Sequence, residues 1–185
     1  GGAMAAMPPR SRSKGEIALS EEGFDFRAHA DLRAKGHRYE DFEEGRVFEH
    51  HWGRTLTAGD NAAFTTQTLS FCPLYLNEPY AQSLGYRSIT VNPLLVFNTV
   101  FGMSVEDLSE GGGPFLGVEQ CRFLEPVYAG DTLTASSTVV SRRESRGQRG
   151  MGIVTWHTEG FNQDGTKVIE FNRTNLVRMR NPPAD

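Results

Sequence analysis

The chain has little of what marks several protein classes. It carries two cysteines in 185 residues, Cys72 and Cys121. That is too few for a disulfide framework and fits a reducing, cytoplasmic setting. No apolar run comes near the roughly 20 residues that a membrane-spanning helix needs. The most apolar segment, Pro93–Met103, is interrupted by Asn98 and Thr99. The N-terminus lacks an apolar core region, so no secretory signal is read there. A basic stripe is also missing and the net charge is −4, which argues against a nucleic-acid partner. The histidines (His29, His37, His50, His51 and His157) are scattered, and His50-His51 is an adjacent pair rather than a helical ligand spacing. No metal site is expected. There is no internal repeat.

What is present reads as one domain with a tail. Residues 1–37 form the tail or arm. Gly1–Gly15 offers little to bury, and Gly1-Gly2-Ala3 reads as an expression remnant. Glu16–Lys35 is charged and reads as a weak helix or an arm over the domain. The domain spans 38–181 and opens near Tyr39-Glu40-Asp41-Phe42. Val47–Leu56 reads as a strand. Thr57 is an N-cap with Asp60 three residues on, so a helix runs to about Leu69. Pro73 then forbids regular helix. A short helix over Glu78–Leu84 ends at Gly85.

Asn92-Pro93 starts a further helix, with Asn as cap and Pro at the first position. Its apolar residues cover every face, which predicts burial on most sides. After the break at Gly111-Gly112-Gly113-Pro114 the pattern becomes four strands: Phe115–Leu124, Leu133–Arg142, Met151–Phe161 and Lys167–Arg178. Their short turns predict antiparallel pairing. The expected fold class is α+β, with a curved antiparallel sheet wrapped around one long helix.

This order resembles the hotdog fold. Within that fold the chain resembles the MaoC-like (R)-specific enoyl-CoA hydratases, over roughly Tyr39 to Arg180. Four pieces carry the likeness. They are the helix Thr57–Leu69 with its Pro73-Leu74 loop, the Val91-Asn92-Pro93-Leu94-Leu95 entry, the strand end Arg122-Phe123-Leu124-Glu125-Pro126-Val127-Tyr128-Ala129-Gly130-Asp131, and Gly160-Phe161-Asn162-Gln163-Asp164-Gly165. The detail is most similar to the branch acting on mesaconyl-CoA and itaconyl-CoA. The resemblance implies addition of water to a branched C5 dicarboxylic acyl-CoA, and no cofactor is expected.

Hydration needs a base for water, an acid for the α-carbon and donors for the thioester oxygen. The family pattern Asp-x-Asn-Pro-Leu-His falls on Ser70-Phe71-Cys72-Pro73-Leu74-Tyr75. The resemblance therefore sets Ser70 and Tyr75 in the catalytic positions, with Cys72 beside them. Tyr75 is expected to donate a proton or hold water. Pro93 stands where the family has glycine and has no N–H. The oxyanion site is then expected to shift to the N–H groups of Leu94 and Leu95, with Asn92 at the helix entry.

Plainer readings stand beside these. Tyr75 also reads as a packed loop tyrosine, Ser70 as a turn residue, and Asn92 as a cap alone. Asp60 and Asn61 read as solvated first-turn residues. Asn98, polar in an apolar helix, needs an internal partner or walls a pocket. Arg87 is placed to meet a substrate carboxylate. Arg142, Arg143, Arg146 and Arg149 read as a solvated tip or a site for CoA phosphates. Two other functions compete: a hotdog thioesterase, and a non-catalytic acyl-CoA binder. A homodimer with joined sheets is expected in each case.

Overall fold

The structure is a computed structural model and describes residues 36–182. The readings of Gly1–Gly15 and of Glu16–Lys35 fall on residues outside that range. Beyond a turn of 3-10 helix at Tyr39–Asp41, the elements are β1 (Val47–Glu49), β2 (Arg54–Thr55), α1 (Ala58–Gln67), α2 (Glu78–Ser83), α3 (Pro93–Leu108), β3 (Phe115–Phe123), β4 (Thr132–Glu144), β5 (Met151–Phe161) and β6 (Lys167–Arg178). The strands form one antiparallel sheet in the order β1-β4-β5-β6-β3, and β2 also pairs with β4. The sheet wraps α3, which is the hotdog arrangement.

The strand expected over Val47–Leu56 is two short strands. Between them the chain leaves the ladder because His50 turns inward. Its imidazole lies 2.6 Å from Asp107 Oδ2 and 2.8 Å from Ser137 Oγ. Burial lowers the proton affinity of His50 below the ordinary histidine value, against the pull of Asp107.

The core lies between α3 and the concave face. Val96, Val100, Met103 and Leu108 are buried at helical spacing. They meet Leu133, Ala135, Val168, Ile169 and Phe171 of the sheet, with Leu108 in a second cluster around Phe42 and Trp156. Gly160 lets the helix this close: a Cβ there would lie 2.6 Å from Val100 Cγ2. Only one face of α3 is buried, however. Leu94, Asn98 and Val105 are exposed. The expected burial on most sides is corrected: an all-apolar helix has one face on its own sheet and another open.

Candidate functional site

Three elements converge at the first turn of α3. The cap Thr57 of α1 accepts from Asp60 N–H, and Asp60 returns the bond in a capping box. Asp60 is half-buried rather than solvated, with its carboxylate on Thr57 and on Arg54. Asn61 is not solvated either: it is 2 % exposed. Its Nδ2 donates to the carbonyls of Tyr75 (3.1 Å) and Thr90 (3.2 Å), and its Oδ1 accepts the N–H of Asn92 at 2.8 Å. One amide thus ties α1 to the loop and to the start of α3. The signal available in sequence was an amide-bearing residue, rather than a second acid, on the inner side of the first turn.

α1 ends in a Schellman motif. Ser70 N–H donates to Thr65 O and Leu69 N–H to Thr66 O. The residue in the left-handed position is Leu69, at φ 55 and 74 % exposed. This turn throws the chain into a short 3-10 helix at Pro73–Tyr75, with Ser70 and Cys72 on its approach.

Beyond it lies a cleft of about 250 Å³. Tyr75, Tyr86, Thr90 and Pro93 border it on one side, and Phe123, Leu124, Glu125 and Val127 on the other. Burial raises the pKa of the Tyr75 hydroxyl, and the neighbouring Cys72 thiol and Tyr86 hydroxyl push the same way. The group is therefore a donor at neutral pH rather than a base. Glu125, an exposed residue, also lines the cleft. It sits inside the strand-end motif of the sequence, where a residue before Pro126 reads as turn chemistry.

The other site expectations fall differently. Asn92 is 1 % exposed and faces inward. Its Oδ1 accepts Leu94 N–H at 3.0 Å, and its Nδ2 donates to Thr65 Oγ1 at 3.3 Å. Its carbonyl accepts from Leu95 N–H at 2.9 Å. Both N–H groups assigned to a shifted oxyanion site are therefore spent on the cap, and that expectation is corrected. Hydroxyl-bearing residues that line the cleft are Tyr75, Tyr86 and Thr90. Leu94 points to the open face of α3. Asn98 also lies on that face, bordering two further cavities. Arg87 holds Asp131 at 3.6 Å and stacks 4.1 Å from the Tyr128 ring centroid, outside the lining of this cleft. Arg142 is no solvated tip: its guanidinium donates to the carbonyls of Tyr39 and Glu40.

Two other clusters draw attention. Asp107, His50 and Ser137 form a serine–histidine–aspartate series, but Ser137 is fully buried and bonds on to Thr158. No substrate reaches it. His157, Glu159 and Glu170 bring ligand atoms within 4.8 Å of one another. Lys167 Nζ already bonds both carboxylates there. Among the described residues no helix is long and apolar enough to cross a membrane.

Comparison with known proteins gives a consistent answer. The family model for mesaconyl-CoA hydratase matches residues 21–185. A mesaconyl-CoA hydratase of Haloarcula hispanica is 40% identical over 156 residues, 84% of this chain and 44% of that protein. A beta-methylmalyl-CoA dehydratase of Chloroflexus aurantiacus is 39% identical over 149 residues, 80% of this chain and 42% of that protein. The crystal structure of a putative MaoC domain protein dehydratase from Chloroflexus aurantiacus superposes with a TM-score of 0.76 at 39% identity, covering 81% of this chain and 42% of that one. The chain thus spans somewhat under half the length of these relatives. With a family model matched over most of its length and a fold and site entry to go with it, the chain belongs to the mesaconyl-CoA hydratase family.

Proposed function

We propose that the chain is a hydratase/dehydratase acting on a branched C5 dicarboxylic acyl-CoA of the mesaconyl-CoA or itaconyl-CoA type. The carrying observation is the cleft at the start of α3, which Tyr75 and Glu125 line together with apolar side chains. A thioester seated there would accept a hydrogen bond from Tyr75, whose raised pKa keeps its proton in place. Glu125 takes a proton from water as its oxygen bonds to the β-carbon, then returns that proton to the α-carbon. Water is added with no other reactant. Ser70 and Cys72 shape the approach, and Asn92 with Asn61 positions the cleft. Pro93 contributes apolar wall.

The test is incubation of purified protein with mesaconyl-, itaconyl- and crotonyl-CoA, followed by mass spectrometry. Gain of one water on a dicarboxylic ester supports the reading. Release of free CoA thiol instead would make the protein a thioesterase. A second reading, an acyl-CoA binder without turnover, draws on the spent N–H groups at Leu94 and Leu95. Calorimetric binding of all esters with no hydration would establish it.

A homodimer joined at β3 suits the sheet order, in which β3 is an edge strand. The free thiols Cys72 and Cys121 accord with a cytoplasmic place of action. The folded unit takes in His37 as well as 38–181, since the His37 ring packs on Phe42 and Phe48 and bonds Asp107 O.

A further inference from the structure

Arg173 on β6 is 2 % exposed. Its Nε donates to Asn175 Oδ1 at 2.9 Å, and one terminal nitrogen donates to Ser104 Oγ at 2.9 Å. The other donates to Ser109 Oγ. The guanidinium carbon lies 4.1 Å from the centroid of the Phe101 ring. Every one of these partners is neutral. Among the described residues no carboxylate lies within ion-pair distance of it. Burial lowers its pKa to about 10, so it remains a cation at neutral pH.

A buried charge without a counter-charge is costly, and natural sequences seldom keep one without use for it. The C-terminal dipole of α3 offsets part of that cost, but it amounts to only about half a charge. A guanidinium has five N–H groups, and three are used here. Its fork fits a carboxylate.

Arg173 also borders a cavity of about 380 Å³ with Phe97, Asn98, Phe101 and Phe115. That volume is within the range of small-molecule sites. Aromatic walls around one cation suit a short hydrocarbon bearing a carboxylate.

We propose that this cavity binds the carboxylate of a small branched acid, with the carboxylate on Arg173 and the hydrocarbon against Phe97, Phe101 and Phe115. It is separate from the Tyr75 cleft of the same chain. Phe101 follows Pro93 by eight residues, about 12 Å along the helix axis. A C5 acyl chain has four carbon–carbon bonds of about 1.5 Å and spans at most about 6 Å. Two sources of the carboxylate remain: a free acid, or the distal end of an ester seated in a second unit.

The experiment is calorimetry and thermal unfolding of the full chain with methylsuccinate, against sodium chloride at matched ionic strength. Methylsuccinate raises the wild-type melting temperature with concentration, as a ligand of the native state must. Arg173→Met weakens binding by about tenfold or more. Phe115→Trp, which fills the cavity from an exposed strand and leaves Arg173 in place, also abolishes the shift and stands in if Arg173→Met does not fold. KM values then separate the sources. A rise for the dicarboxylic ester alone, with crotonyl-CoA unchanged, identifies the ester, and unchanged values for both identify the free acid. A wild-type protein that ignores methylsuccinate overturns the proposal, as does a shift retained in both variants. Dissociation of Arg173→Met into monomers without any methylsuccinate response assigns the cation to a carboxylate of a second chain and equally overturns it. The binding readout needs no turnover, so it is independent of the hydratase reading.

Discussion

Asn61 carries more of this site than any residue the family pattern names. It satisfies two carbonyls and one N–H at once. Asn61→Ala should cost about 3 kcal/mol in urea unfolding, since each buried group left unpaired costs about 1–3 kcal/mol. It should also lower turnover, because the Tyr75 loop loses its tether. A variant of wild-type stability would show that the amide is dispensable. His50 gives a pH signature. Its folded pKa is depressed by burial, so the unfolded chain takes up a proton first as pH falls below the unperturbed value of about 6.5. Stability is then complete above that pH and declines below it until the folded form also titrates. Denaturation at pH 7.5 and 5.5 (about one unit either side of that value) should show a smaller fall for His50→Gln than for wild type. Sequence reading located Tyr75 and Pro93 on the cleft because the loop pattern fixes their order. It missed Asn61 because a polar residue in a first turn looks solvated until the partner element is in place.

At the scale of elements, most boundaries were legible. Pro73, Asn92-Pro93, Gly85 and the Gln163-Asp164-Gly165 turn act through backbone chemistry that no tertiary contact overrides. The split of Val47–Leu56 was not legible, because the inward turn of His50 depends on Asp107, which is 57 residues away in sequence. The two-sided character of α3 was also hidden. Hydrophobic periodicity cannot tell a face covered by its own sheet from one left for another partner. The end of α1 allows a direct test. Leu69 holds a left-handed backbone at φ 55, which costs an L side chain about 1 kcal/mol or more. Leu69→Gly should therefore raise stability by about 1 kcal/mol in chemical denaturation, with the Ser70 and Tyr75 positions unchanged. A loss of stability would mean that the exposed leucine packs against something in solution.

For the molecule as a whole, the open features lie together. β3 is the edge of the sheet, and Phe115, Leu116 and Phe123 on it are exposed. Leu94 and Val105 of α3 add to the uncovered apolar surface. Exposed apolar residues of this kind suit an interaction face. Sedimentation should show a dimer, and Leu116→Lys should shift it toward monomer, since edge charges block strand pairing. A wild-type monomer at every concentration would exclude pairing through β3.

The central proposal is that Tyr75 and Glu125 hydrate a dicarboxylic acyl-CoA. The deciding measurement is the initial rate of water addition to mesaconyl-CoA and itaconyl-CoA, followed by mass, for wild type, Tyr75→Phe and Glu125→Gln. Wild type should hydrate one of the two esters. Each variant should lose about a hundredfold or more in kcat, the usual scale of a lost acid–base or oxyanion group, with thermal stability retained. Full turnover in both variants, or none in wild type despite measurable ester binding, would contradict it and leave the cleft as a binding site.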